Sequence, residues 1–136
     1  MQLGAPVGVE EAIEAVRRGE RAPEIESITL DFKRTKASFE DTARDLAEAV
    51  ACFANARGGT VIVGVDDKRS GPDAFVGCGF GAEALRRRIC ELTNPSVIVT
   101  ARTVRVGESE LVVLVVPERV SRSILLLEEE PGGQVV

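Results

Sequence analysis

The sequence predicts an α+β domain: a mixed, largely antiparallel sheet with two main helices packed on it, plus a short N-terminal helix. Three observations carry that prediction. Apolar residues recur at three- and four-residue steps after Ser38 and again after Glu83, the period of a helix with one buried stripe. Residues 60–65, β-branched except for Gly64, form a continuous run that reads as a strand buried in the middle of a sheet. Residues 97–106 and 110–116 flank Gly107-Glu108-Ser109, a hairpin signal. The chain has 136 residues, which suits one domain.

In chain order, residues 9–18 read as a short helix. Val9, Ile13 and Val16 share a face, Glu10 and Glu11 open it, and Arg17 and Arg18 close it, the order that the helix dipole favours. Residues 20–24, with Pro23, read as a connector. Residues 26–34 read as a strand, with Ile28, Leu30 and Phe32 on the core side and Asp31 and Lys33 together on the other. Ser38 is the expected N-cap of the longest helix, whose stripe is Phe39, Ala43, Leu46, Val50 and Phe53. Gly58 and Gly59 stop it. Gly64, inside the apolar run, marks a bulge or a close approach to the backbone. Residues 66–72 form a polar turn and 74–76 a short returning strand. Leu85, Ile89 and Leu92 make the stripe of a helix over 83–92, ended by Asn94-Pro95. Residues 124–127 read as a last strand or a segment leading elsewhere, followed by a polar tail. Three parts result: a helix and connector over 1–23, the main domain over 24–120, and a strand or tail over 121–136.

Composition removes several functions. With no histidine, the chain cannot build a Ser-His-Asp triad, a Cys-His pair or a His-ligated zinc site. Cys52, Cys78 and Cys90 fit neither a zinc knuckle nor a redox CxxC, so they read as small buried apolar residues in a reducing compartment. The net charge of −5 argues against a uniformly basic polyanion binder but leaves room for a local basic patch. Five phenylalanines, with no tryptophan or tyrosine, give few stacking platforms for single strands. No apolar run approaches the ~20 residues of a membrane-spanning helix. The first residues carry neither a basic start nor a long apolar core, so a cytoplasmic location is expected.

Several motifs occur together. Glu26-Ser27 precedes Asp31-Phe32-Lys33. Phe53-Ala54-Asn55-Ala56-Arg57-Gly58-Gly59 leads into Gly64-Val65-Asp66-Asp67, then Phe75-Val76-Gly77, Pro95 and Val115-Val116-Pro117. Their order resembles the Schlafen-type AlbA-like (AlbA_2) family, often labelled DNA-binding, over about residues 24–120. Asp31 stands where the family more often has Glu. Longer bacterial relatives commonly add further domains, so the chain reads either as a minimal version or as a fragment of a larger protein.

The resemblance implies a nucleic-acid-binding domain, DNA or RNA, of a regulatory or defence protein. It also implies an alternative, a divalent-metal-dependent endoribonuclease. In eukaryotic members, three carboxylates at these motif positions form the catalytic site. Here Glu26, Asp31 and Asp66 match, with Asp67 as the alternate, and they would hold Mg²⁺ or Mn²⁺. Without the resemblance, Asp66 and Asp67 are ordinary turn residues at a strand end, and Glu26 is a solvated strand start. The basic candidates for phosphate contact are Lys33, Arg34, Lys36, Arg57 and Lys68. Arg86, Arg87 and Arg88 read instead as a solvated helix face balanced by Glu83 and Glu91. Asn55, Gly58 and Gly59 read as a helix stop; no Gly-Lys-Ser/Thr follows them, so they are not a P-loop. A third reading is a dimerisation module. The apolar stretches 97–99 and 111–116 are expected to include a sheet edge open to pairing.

Overall fold

The structure, a computed structural model, describes residues 8–119 and 125–126. Four strands form the main sheet in the order β1-β2-β5-β4: β1 Leu30–Lys33, β2 Gly59–Val63, β5 Ser109–Val116 and β4 Thr100–Val106. β1 and β2 are parallel, with Leu30 beside Thr60 and Lys33 beside Val63. The other two pairings are antiparallel. A separate ribbon joins β3 (Thr93–Asn94) to β6 (Leu125–Leu126). The fold is α+β, as the sequence predicts.

Helices cover both faces of the sheet, which explains why β2 and β5 lack a polar side. Val61, Val63, Val112, Leu114 and Val116 point toward α3 (Phe39–Ala54) and α4 (Ala82–Leu92). Ile62, Leu111 and Val113 point the other way, with Leu30 and Phe32 of β1, onto Ile13 and Val16 of α1 (Val9–Arg17). The alternation of strand side chains therefore feeds two cores from one pair of strands.

Helix α3 forms where the apolar stripe predicts it. The Ser38 hydroxyl accepts the Asp41 N–H at 3.0 Å, an N-cap bond. Thr42, buried, donates to the Ser38 carbonyl at 2.8 Å and accepts the Lys36 N–H at 2.9 Å, which fixes the loop between β1 and α3. At the other end Gly58 adopts φ +77° and its N–H reaches the Phe53 carbonyl at 2.7 Å. A Cβ there would lie 2.6 Å from the Val116 carbonyl oxygen, so only glycine fits both the turn and the neighbouring strand.

Six details differ from the sequence reading. Cys52 is exposed and Cys78 and Cys90 are half-buried, so none of the three is the fully buried apolar residue expected. The connector 20–24 contains a one-turn helix, α2 (Ala22–Ile25), with Pro23 in its first turn, where its missing N–H costs nothing. The strand expected over 26–34 begins only at Leu30, because Ser27 and Leu30 bond each other's backbone in a turn. Ile28 is thereby carried off the core face and is exposed. The segment expected as a returning strand begins as a 3₁₀ turn, Gly71–Ala74, with an isolated bridge from Val65 to Phe75. The strand expected from residue 97 begins at Thr100, since the Val97 N–H is taken by the Thr93 hydroxyl at 2.8 Å. Finally, residues 111–116 are not an edge: β5 lies between β2 and β4, and the edges are β1 and β4. Of the expected last strand, Leu125–Leu126 pairs as β6, while Ile124 and Leu127 lie outside the described residues. Among the described residues no helix is long and apolar enough to cross a membrane.

Candidate functional site

The parallel pair β1 and β2 brings the candidate residues to one end of the sheet. Leaving β2, the chain folds over the end of β1: the Gly64 and Val65 N–H groups both donate to the Lys33 carbonyl, at 2.7 and 3.2 Å. This step delivers Asp66 beside Arg34, a residue 32 positions earlier. Asp66 is buried, at 4% exposure. One carboxylate oxygen accepts the Lys68 N–H at 2.9 Å, closing the turn. The other lies 3.3 Å from Arg34 Nη1 and 3.4 Å from Arg69 Nε. Asp67, next in sequence, is exposed.

A second group forms along the free edge of β1. Glu26, just past α2, turns its carboxyl back to accept the Phe32 N–H at 3.0 Å. It also shares a hydrogen bond with the Asp31 carboxyl. Burial and that bond push the Glu26 pKa up from 4.5 to about 7. The Phe32 N–H opposes the shift, while the charges of Asp31 and Asp67 add to it. Lys33 lies 3.5 Å from Asp31. Burial pulls the Lys33 ammonium down, but the carboxylates of Asp31, Asp45 and Glu26 outweigh it and hold its pKa above the ordinary value. Asp31 and Lys33 line a groove of about 290 Å³ against α3, with Asp45, Glu48, Cys52 and Phe53 opposite.

The sequence candidates therefore divide. Lys33, Arg34, Lys36 and Lys68 belong to chain segments at the end where β1 and β2 stop, and the charges of Asp31 and Asp67 both act on Glu26. Asp66 engages Arg34 and Arg69 instead. Arg57 precedes β2 and so stands at the opposite end of the strands, roughly 13 Å away at 3.3 Å per residue. Among the described residues, no three of His, Cys, Asp and Glu stand close enough to hold a metal ion. Arg86 pairs with Glu83, and Arg88 pairs with Glu40 at 2.7 Å and Glu91 at 3.1 Å, which ties α4 to α3. Arg69 and Asp45 were not singled out by sequence. The only signal for Arg69 is its place three residues after Asp66 in a tight turn.

The Glu26 pair makes stability depend on pH. The folded-state pKa lies above the unfolded one, so the folded state holds the extra proton between them. Its contribution is complete below pH 4.5 and is lost as pH rises through about 7. Glu26→Gln keeps both hydrogen bonds without the charge. Urea unfolding should find the variant equal to the parent at pH 4. At pH 8 it should be more stable by about 1–2 kcal/mol, the shift discounted for solvent screening. An equal difference at both pH values would refute the assignment.

The profile of the family described as "Schlafen, AlbA_2" matches residues 26–135, most of the chain. The chain belongs to this family. Comparison with curated proteins finds no match. Among solved structures, the AlbA_2 chain resembles the DIP2311 protein of Corynebacterium diphtheriae, with a TM-score of 0.67 and 23% identity. That match covers 93% of this chain and 26% of the other, and it shows the fold alone. The chain also resembles the N-terminal domain of a Nitrosomonas europaea protein described as RecG-related, of the ATP-dependent DNA helicase type. There the TM-score is 0.50 and the identity 27%, over 68% of this chain and 65% of that one. The AlbA_2 chain thus spans about a quarter of the first relative and less than two thirds of the second.

Proposed function

We propose that this AlbA_2 domain binds nucleic acid through backbone phosphates at the end of β1 and β2. One observation supports the reading: Lys33 ends β1, Arg34 and Lys36 follow it, and Lys68 lies in the turn after the parallel strand β2, so these segments leave the sheet at the same end of a protein whose net charge is −5. A local basic rim on an acidic protein selects where a polyanion lands. The positive end of the α3 dipole points toward the same rim. The family and the RecG-related neighbour support the same reading.

Fluorescence anisotropy with labelled DNA and RNA, single- and double-stranded, across a salt series tests it. Each phosphate contact contributes about 0.9 to the slope of log K against log salt on duplex DNA. Lys33→Ala/Arg34→Ala is expected to weaken binding about tenfold or more and to flatten the slope by about two contacts. Arg57→Ala, at the far end of the strands, is expected to change little. A folded protein that binds none of these probes at low salt would sink the proposal.

A second reading, a divalent-metal-dependent endoribonuclease, is favoured by the joined carboxyls of Glu26 and Asp31 with Asp67 nearby. Mg²⁺ is often held by only one or two carboxylates plus water and substrate phosphate, so Glu26 and Asp31 meet that minimum. The ion would supply charge neutralisation at the phosphate. Because Arg34 and Arg69 engage Asp66, Asp67 is the better third carboxylate. The same RNA probes, incubated with Mn²⁺ and run on a gel, test this arm. Cleavage that persists in Glu26→Gln/Asp31→Asn belongs to a contaminant.

A further inference from the structure

We propose that Arg34 and Arg69, gathered on the Asp66 carboxylate, form a two-guanidinium clamp for one backbone phosphate of nucleic acid, with Asp66 as its positioning residue. The inference rests on the nucleic-acid reading above and assigns a specific site within it.

The geometry begins with burial. The Asp66 side chain is 6% exposed, while both arginine side chains are 61% exposed. The carboxylate is thus a fixed post inside the turn, and the two guanidinium groups are its open arms. Arg34 Nη1 and Arg69 Nε approach the same oxygen, at 3.3 and 3.4 Å. Their separation therefore cannot exceed the sum of those distances. That span suits two N–H groups donating to different oxygens of one phosphate, at about 2.8 Å each. A guanidinium carries five N–H donors, and directing one at Asp66 leaves the rest of the fork available.

Charge points the same way. Two cations share one carboxylate, which leaves an excess positive charge at the turn, and Lys68 adds to it. Asp67 is exposed beside them and opposes it. The partner is therefore an anion small enough to meet both forks, and a phosphodiester fits. Asp66 also removes part of the cost of binding. Holding two long side chains in place beforehand removes part of their ordering cost when the phosphate arrives.

This makes an expectation opposite in sign to simple charge counting. Asp66→Asn removes a negative charge, which by long-range attraction alone would strengthen binding to a polyanion. If Asp66 positions the clamp, binding weakens instead, by about three- to tenfold. The asparagine side-chain oxygen can still accept the Lys68 N–H, so the turn is retained, and circular dichroism checks the fold. Arg69→Ala is the second variant. It should weaken binding about tenfold and lower the salt slope by about one contact, a change that a merely structural role would not produce. In the Arg34→Ala/Arg69→Ala background, Asp66→Asn should lose its effect.

The experiment is the anisotropy titration with a labelled oligonucleotide in a salt series, repeated with phosphate replacing chloride at constant ionic strength. Tighter binding by Asp66→Asn, or an unchanged slope in Arg69→Ala while the parent binds, overturns the clamp and leaves the nucleic-acid reading standing. A parent protein that binds no probe overturns both. Displacement of the oligonucleotide by phosphate at constant ionic strength would mark a site for free phosphate and overturn the backbone assignment. Weakening in both variants, without such displacement, is the result expected.

Discussion

Gly64→Ala is expected to destabilise the protein by about 3 kcal/mol or more, read as a fall in the urea midpoint. Gly64 sits at φ +115°, where a side chain is strained whatever the space around it. The space is also absent. A Cβ would lie 2.8 Å from the Gly77 carbonyl carbon, 2.9 Å from the Cys78 nitrogen and 2.9 Å from a Leu111 methyl. Two of those three contacts are backbone and cannot swing aside. The reason for the crowding is a local exchange of bonds: Gly64 donates to Lys33 at 2.7 Å and accepts the Gly77 N–H at 2.9 Å. The substitution therefore also loosens the crossing that delivers Asp66 to Arg34. Gly79→Ala is the control. It has open space and no positive φ, and it should stay within about 1 kcal/mol of the parent. Equal midpoints for the two variants would refute the account.

Leu114→Ala is expected to cost about 2–5 kcal/mol, against less than about 1 kcal/mol for Val115→Ala one position along. Leu114 is fully buried in the core beneath α3 and α4, between Val61 of β2 and Ala101 of β4. Removing its side chain leaves a cavity between three elements that cannot all close in. Val115 points to the opposite face, between Thr60 and Thr100, and is 42% exposed. Stability of a domain this size is about 5–15 kcal/mol, so Leu114→Ala takes a large part of it. Comparable losses at both positions would mean that β5 does not separate two cores.

The contrast between those neighbours shows what the sequence could and could not announce. The run from Leu111 to Val116 is apolar throughout, so it revealed a covered strand but not that its two faces serve different helices, nor that it is central. Helix α3 was readable in full, from Ser38 to Gly58, because its cap, stripe and stop are all local. The start of β1 was misread because Ile28, Leu30 and Phe32 keep the alternation of a strand through a turn that bends Ile28 away. Helix α2 hid inside a connector because one turn is too short to show a period. For the site, alternation placed Asp31 and Lys33 on one side. Nothing local tells that Asp66 reaches Arg34 or that Glu26 bonds the Phe32 backbone. Those pairings depend on the parallel crossing of β1 and β2, which is a property of topology. The same crossing separated Asp66 from Asp67, two carboxylates that the sequence could only offer as alternates.

The Glu26 carboxyl on the Phe32 N–H has a consequence for how the molecule meets copies of itself. An exposed strand edge recruits further strands through its unpaired N–H and C=O groups. At β1 one such N–H is already occupied, and a carboxyl covers the position where an incoming backbone would dock. The β4 edge carries no comparable side-chain bond to its backbone among the described residues. Among the described residues, the sheet is thus guarded by a side-chain bond at the β1 margin and not at the β4 margin. Strand addition at β1 would first have to displace that carboxyl, which protects the margin beside Lys33 and Arg34.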